Sequence, residues 1–215
     1  MGNFVVLISN RGSNLEAMCN AGLIGCISCV ISNNPNAMGL EFAKTSGVTT
    51  KIIDNKNYIS REVFDEELSK TIDLFSPQLI VLAGFMRILS SGFVNKYKNK
   101  IINIHPSLLP SFVGANAQKQ AFNTRVKVTG ATAHYVTDRL DHGPIIAQGI
   151  IPVTQHLSPE SLASEILRLE HTMYPFVIKK ILTGDVEINT DNSVTTQKHD
   201  GDNIQLGEFF NYIFY

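Results

Sequence analysis

Short apolar runs alternate along the chain with stretches whose apolar residues recur at helical spacing. The runs predict strands and the periodic stretches predict helices. In order, the first half predicts strand Phe4–Ser9, helix Asn14–Ala21, strand Cys26–Ser32, helix Met38–Thr45, strand Val48–Ile53, a helix capped by Ser60 and running to about Phe75, strand Leu79–Ala83, helix Ser90–Tyr97 and strand Ile101–His105. Such alternation indicates an α/β protein with a Rossmann-like, doubly wound, mostly parallel sheet.

The pattern changes after the fifth strand. A helical region around Ala115–Phe122 is followed by two strand-like stretches, Val126–Val136 and Ile145–Val153, joined by a loop. Without a crossover helix between them, these two predict an antiparallel C-terminal extension of the sheet. A long C-terminal helix then begins at Ser158 and ends at Gly184, and Pro175 is expected to kink or break it.

Composition narrows the class of protein. The 215 residues are 44% hydrophobic and 17% charged, with a formal net charge of −1. That balance gives no basic surface for nucleic acid. The longest apolar stretch, Leu79 to Met86, is far shorter than the roughly 20 residues that cross a bilayer. We therefore expect a cytoplasmic protein that binds neither nucleic acid nor membranes.

Three cysteines (Cys19, Cys26 and Cys29) form an odd set that does not suggest a disulfide framework. Cys26 and Cys29 have C-x-x-C spacing, but residues three apart on a strand face opposite ways. We interpret all three as small buried hydrophobic residues in a reducing compartment.

Asn103 and His105 are the strongest candidates for chemistry. They lie two residues apart in an apolar strand that stops at Pro106, so both side chains emerge on the same face. A buried parallel strand is ordinarily continuous Val, Ile and Leu. A core Asn and His satisfied by the backbone is the alternative, but two polar groups at one strand terminus favour a site.

A second candidate is the turn Ser9–Asn14, which leads from the first strand into a helix. Gly12 lets the backbone approach a ligand, and Ser13 and Asn14 supply side-chain donors and a helix cap. Because G-x-G-x-x-G is absent, a phosphate monoester fits better than NAD. An ordinary βα turn explains this segment equally well.

Four segments carry a family resemblance. They occur in order and are Ser9–Asn14, Leu82–Ser90 (LAGFMRILS), Asn103–Pro110 (NIHPSLLP) and His134–Pro144 (HYVTDRLDHGP). The chain resembles the phosphoribosylglycinamide formyltransferase family, the folate-dependent formyltransferases of purine biosynthesis. The likeness spans roughly residues 3 to 184.

The resemblance implies a role for each matching residue. Asn103, His105 and Asp141 match the family's catalytic Asn, His and Asp. The ribonucleotide site is implied at Gly12, Ser13, Asn14 and Glu170, and the folate site at Arg61, Met86, Arg87, Ile88, Leu89 and Asn103. The implied co-substrate is 10-formyltetrahydrofolate, and the implied acceptor is the amino group of 5-phosphoribosylglycinamide. No spacing among the histidines and aspartates supports a metal.

The resemblance also implies one formyltransferase domain over residues 1–215. Within it, residues 1–100 form a phosphate-binding Rossmann-like half, 101–184 a catalytic and folate half, and 185–215 a C-terminal tail. Both small-molecule substrates are expected partners, and a homodimer is left open.

Two departures from the family concern the substrates. Asn10 stands where the family usually has Gly, and Asn tolerates the left-handed region better than most residues. Ser111–Gln120 lacks the Lys, Pro and His often found there, and with Gly130–Val136 it is similar to formyltetrahydrofolate deformylase, a hydrolase that releases formate. That hydrolase is one alternative, and a catalytically inactive Rossmann-like binding module is another.

The chemistry of formyl transfer matches these residue types. An amine attacks the formyl carbon, an oxyanion must be held, and a proton must reach the leaving N10. Asn103 can donate to the oxyanion, while a protonated His105 can donate to it and then deliver the proton. Asp141 either favours the imidazolium or acts through an ordered water, and the sequence leaves both roles open.

Overall fold

The computed structural model describes residues 2–153, 158–189, 191, 193–196 and the backbone of 211–214. The chain divides into two compact units. The first comprises Met1–Asn103 with Val136–Asp138, and the second comprises Ile104–Tyr135 with Arg139–Tyr215.

The first unit contains a parallel sheet flanked by helices. Its elements are β1 (Phe4–Ile8), α1 (Ser13–Met18), β2 (Ile27–Ser32), α2 (Met38–Thr45), β3 (Thr50–Ile52), α3 (Arg61–Asp73), β4 (Leu79–Leu82), α4 (Ser91–Lys96) and the first part of β5 (Ile101–His105). The strands pair in parallel in the order β5-β4-β1-β2-β3. From β1 the chain adds β2 and β3 on one side, and it then adds β4 and β5 on the other side. The boundary between β1 and β4 is therefore the topological switch point, where ligands of such sheets bind.

Local sequence explains where these helices begin. Ser60 accepts the backbone N–H of Val63, so it caps its helix as predicted, and Ser90, predicted as the first helical residue, instead caps its helix by accepting the backbone N–H of Phe93. Helix α1 is shorter than predicted, because a π-helical turn at Cys19–Leu23 follows it and Gly22 adopts a φ of 82°. One hydrophobic cluster of the core includes Leu7, Ile31 and Phe64.

The second unit begins within β5 and continues with α5 (Ala117–Thr124), β6 (Val128–Tyr135), β7 (Ile145–Pro152) and α6 (Pro159–Leu182). Strands β6 and β7 are antiparallel, and β6 places Thr132 opposite Gln148. A two-stranded hairpin of β8 (Val186–Ile188) and β9 (Val194–Thr196) follows, and β10 (Asn211–Phe214) pairs antiparallel with β7. The predicted α/β fold, with its antiparallel C-terminal strands and long helix, is confirmed.

Helix α6 has a capping box at Ser158 and runs without interruption through Pro175. Pro175 therefore does not break the helix, and a kink at this residue, the other outcome expected from the sequence, stays a prediction. Its long buried stripe, which includes Leu169 and Met173, explains the continuity, because that burial outweighs one lost backbone hydrogen bond.

The cysteines differ in part from the prediction. All three are free thiols, but only Cys29 is buried, whereas Cys19 and Cys26 are half-buried. Cys26 ends a short 3-10 turn and Cys29 lies inside β2, so the C-x-x-C pair does not share one element. In the part of the chain that the structure describes, no helix is both long and apolar enough to span a membrane.

Candidate active site

A buried imidazole–carboxylate pair lies at the end of β5. His105 is 5% exposed, and its Nδ1 is 3.5 Å from Oδ2 of Asp141. Its Nε2 lies 2.9 Å from the backbone carbonyl oxygen of Phe112. Because a carbonyl oxygen only accepts, Nε2 carries the proton in this contact. The structure thus brings together two of the three residues predicted to be catalytic.

A second imidazole flanks the same carboxylate. His134, on β6, is 2% exposed, and its Nε2 lies 3.8 Å from Oδ1 of Asp141. Its Nδ1 is 3.0 Å from the carbonyl oxygen of Tyr135 and therefore donates to it. Burial lowers the pKa of His134 below its ordinary value of 6.5, and the hydrogen bond to the Tyr135 carbonyl and the charge of Asp141 offset only part of that shift. Asp141 lies nearer to His105, at 3.5 Å, than to His134, at 3.8 Å.

Two loops meet at this pair. The backbone N–H of Gly114 donates to Oδ2 of Asp141 at 2.9 Å, in the loop that also supplies the Phe112 carbonyl. Phe112, Gly114 and Asp141 have φ values of 56°, 81° and 52°, so both loops contain left-handed backbone. Sequence reasoning missed Phe112 and Gly114, since backbone contacts leave no side-chain signal.

The turn after His105 is fixed by Thr132. The Thr132 hydroxyl donates to the carbonyl of Ser107 at 2.7 Å and accepts the N–H of Leu109 at 3.0 Å. Gln148, its cross-strand neighbour, donates to Thr132 Oγ1 at 3.0 Å and to the Leu109 carbonyl at 2.9 Å. Gln148 was missed too, although a polar residue facing Thr132 across the predicted hairpin was the available signal.

Asn103 lies on β5 two residues before His105 and is the last residue of the first unit before Val136. Successive strand residues alternate faces, so its side chain leaves β5 on the same face as the imidazole. This register agrees with the arrangement expected from the sequence.

The turn after β1 differs in detail from the prediction. Gly12 occupies the N-cap position of α1 with a φ of 79°, and no side chain caps the helix, so the predicted Ser13 or Asn14 cap is wrong. Left-handed backbone falls on Gly12 and not on Asn10. A Cβ atom on Gly12 would lie 2.9 Å from Cα of Gly39, so this glycine allows α2 to approach the turn.

The segment after β4 contains the residues predicted to contact folate. Met86 and Ile88 are exposed, at 72% and 57%, whereas Leu89 is buried in the hydrophobic core. The Arg87 guanidinium packs over the ring of Phe64, 5.3 Å from its centroid. The exposed apolar side chains of Met86 and Ile88 thus belong to a segment that Arg87 and Leu89 attach to the body of the first unit.

The remaining predicted residues lie apart in the sequence and on different units. Arg61 is the exposed first residue of α3 in the first unit. Glu170 is buried on α6 in the second unit, 6% exposed. The predicted ribonucleotide residues are therefore divided between the units. Within the described residues, no group of three His, Cys, Asp or Glu side chains is arranged to hold a metal ion.

Comparison with known proteins identifies the class. The formyl transferase family model matches residues 2–178, and this chain belongs to that family. Phosphoribosylglycinamide formyltransferase of Escherichia coli (strain K12) is 40% identical over 191 residues, covering 87% of this chain and 90% of the relative.

A larger relative and a crystal structure extend the comparison. The trifunctional purine biosynthetic protein adenosine-3 of Gallus gallus is 43% identical over 187 residues, which cover 85% of this chain but only 19% of that protein. This chain thus spans about a fifth of that trifunctional relative. The crystal structure of phosphoribosylglycinamide formyltransferase from Anaplasma phagocytophilum superimposes with a TM-score of 0.86 and 45% identity, covering 93% of this chain and 97% of that one.

Proposed function

We propose that this chain transfers the formyl group of 10-formyltetrahydrofolate to the amino group of 5-phosphoribosylglycinamide. The observation that carries the proposal is the buried contact between His105 and Asp141 at the end of β5, in the strand that also presents Asn103. Membership of the formyl transferase family and the names of its single-activity relatives support this acceptor.

In the proposed mechanism Asn103 donates its amide N–H to the oxygen of the formyl group as the amine attacks. Removing one such donor typically costs about 2.7–4 kcal/mol of transition-state stabilisation. His105 donates a proton to the leaving N10 as the bond from N10 to the formyl carbon breaks, and the attacking amine releases a proton that restores the protonated imidazole. Asp141 orients that imidazole from 3.5 Å. A primary amine is itself a good nucleophile, so the reaction needs no covalent enzyme intermediate.

The proposed binding residues form two sets, one for the ribonucleotide and one for the folate. Gly12, Ser13 and Asn14 hold the ribonucleotide phosphate with backbone amides at the turn after β1, and Glu170 contacts the same substrate. Arg61, an exposed residue, contacts the folate, and Asn103 adds a polar contact. The segment Met86–Leu89, including Arg87 and Ile88, lines an apolar folate pocket with backbone donors.

The homodimer and the cytoplasmic location stay predictions. Light scattering of the purified chain tests whether it is a dimer.

One experiment separates this reaction from its alternatives. The purified chain is given 10-formyltetrahydrofolate, and deformylation is followed by absorbance with and without 5-phosphoribosylglycinamide, with His105→Ala as a blank. Turnover that requires the ribonucleotide supports the transferase. Equal turnover without it would indicate the deformylase, which the transferase relatives do not favour. Absence of turnover in both reactions would indicate a binding module.

A further inference from the structure

Ser9 lies at the topological switch point of the first unit's sheet, between the parallel strands β1 and β4. It directly follows β1, and Met86 belongs to the segment after β4, the neighbouring strand. The carboxyl ends of two parallel neighbours meet at the same edge of a sheet. Ser9 thus begins the turn proposed for the ribonucleotide and faces the segment proposed for the folate.

The Ser9 side chain is held in one orientation. It is 4% exposed, its hydroxyl donates to Oδ1 of Asn33 at 2.6 Å, and it accepts the backbone N–H of Met86 at 2.8 Å. Its backbone carbonyl accepts from Nδ2 of Asn34 at 3.0 Å. A hydroxyl has one proton, so donation to Asn33 turns its lone pairs toward the Met86 amide.

The backbone at Met86 is held by this hydrogen bond, because the side chains of Met86 and Ile88 do not pack against the core. Met86 and Ile88 are 72% and 57% exposed, so neither packs the backbone onto the core. Leu89, in the core cluster, and Arg87, over Phe64, fix the far side of the segment. The hydrogen bond from the Met86 amide to Ser9 fixes its near side.

We propose that Ser9 is a positioning residue for the folate, acting through the backbone of Met86, an assignment that rests on the proposed function. Its hydroxyl holds the segment so that the apolar side chains of Met86 and Ile88 face the bound co-substrate. Without that hydroxyl, the Met86 amide and the Asn33 carbonyl oxygen lose their partner, and the segment samples other orientations.

The test compares Ser9→Ala with Ser28→Ala. Ser28 also donates one hydrogen bond, to the carbonyl of Phe4 at 3.0 Å, but it lies at the opposite end of the same sheet. We expect Ser9→Ala to raise KM for 10-formyltetrahydrofolate roughly three- to tenfold, the effect of one lost hydrogen bond. The kcat and the KM for the ribonucleotide should change less, and Ser28→Ala should leave all three unchanged.

Two further measurements make the result decisive. Hydrogen exchange of the Met86 amide should accelerate in Ser9→Ala and not in Ser28→Ala. Asn33→Ala, which keeps the hydroxyl but removes its acceptor, should shift the same KM in the same direction, and it serves if Ser9→Ala does not fold. Unchanged exchange at Met86, or faster exchange with an unchanged folate KM, overturns the proposal.

A separate readout distinguishes this proposal from the proposed function. Calorimetric titration with tetrahydrofolate measures folate affinity without any turnover. If the wild-type chain binds tetrahydrofolate but transfers no formyl group, the proposed reaction fails, and weaker binding by Ser9→Ala still supports the positioning role. Equal binding by the two proteins overturns that role whatever the activity.

Discussion

The carboxylate of Asp141 accepts the backbone N–H of Gly114 at 2.9 Å, so the group proposed to orient His105 is bonded to the loop after β5. The same Oδ2 atom lies 3.5 Å from His105. Loop and imidazole therefore share one oxygen, and the conformation of the loop sets the position of the carboxylate.

Gly114→Ala tests that relationship. Gly114 has a φ of 81°, and a Cβ atom added there would meet nothing within 4 Å, so alanine adds backbone strain of about 1–2 kcal/mol without a clash. We expect kcat to fall roughly three- to tenfold as the loop shifts. Gly184→Ala, with a φ of 82° and equally open surroundings at the end of α6, is the matched control and should retain kcat.

The His105–Asp141 pair should behave as one catalytic unit. We expect His105→Ala and Asp141→Asn each to lower kcat by about 10²–10⁴, the usual contribution of acid–base catalysis. Because Asp141 acts through His105, the double variant should be little slower than the worse single variant. Steady-state kinetics check this, with circular dichroism confirming the fold. Independent, additive losses would contradict the pairing.

Much of this site was predictable from the sequence, for identifiable reasons. Strand periodicity places Asn103 and His105 on one face, and the ends of β5 agree with the prediction. The Asp141 contact needed the family resemblance, since helix α5, strand β6 and the connecting loops separate Asp141 from His105 in the sequence, and periodicity does not report contacts between elements. The cap of α1 was mistaken because cap preferences favour Ser and Asn, whereas tight packing against Gly39 requires Gly12 at that position.

Close packing at Gly12 predicts a large effect of one methyl group. Gly12→Ala adds a Cβ 2.9 Å from Cα of Gly39 in addition to the strain of a φ of 79°. Gly47→Ala is the control, because Gly47 has a φ of 77° but an added Cβ atom there would meet nothing within 4 Å. It therefore adds backbone strain without a clash. We expect Gly12→Ala to destabilise folding by about 1–3 kcal/mol more than Gly47→Ala, as overpacking does. Urea unfolding of both variants measures the difference, and equal losses would argue against the close approach.

Burial of His134 predicts a pH-dependent stability. Its folded pKa lies below 6.5, so the unfolded chain binds the proton more readily. The contribution to stability is complete above pH 6.5 and is lost as the pH falls through the folded pKa. Wild type and His134→Gln are compared by the free energy of unfolding against pH. We expect a shallower acid decline in the variant, and parallel curves would contradict this assignment.

Burial also makes Cys29 unreactive. It raises the pKa of the Cys29 thiol to about 12, so almost no thiolate is present at neutral pH. In alkylation of the native protein followed by mass spectrometry, Cys29 should stay unmodified while the half-buried Cys26 reacts. Labelling of Cys29 at the rate seen in urea would show that β2 opens.

The hydroxyl of Thr132 is saturated with hydrogen bonds. Its proton and both lone pairs are engaged, by Ser107, Leu109 and Gln148. The bend that follows the imidazole therefore takes part of its shape from the adjacent strands β6 and β7. A substitution at Thr132 or Gln148 would reach the proton donor through that bend, without a change in any group that contacts the imidazole.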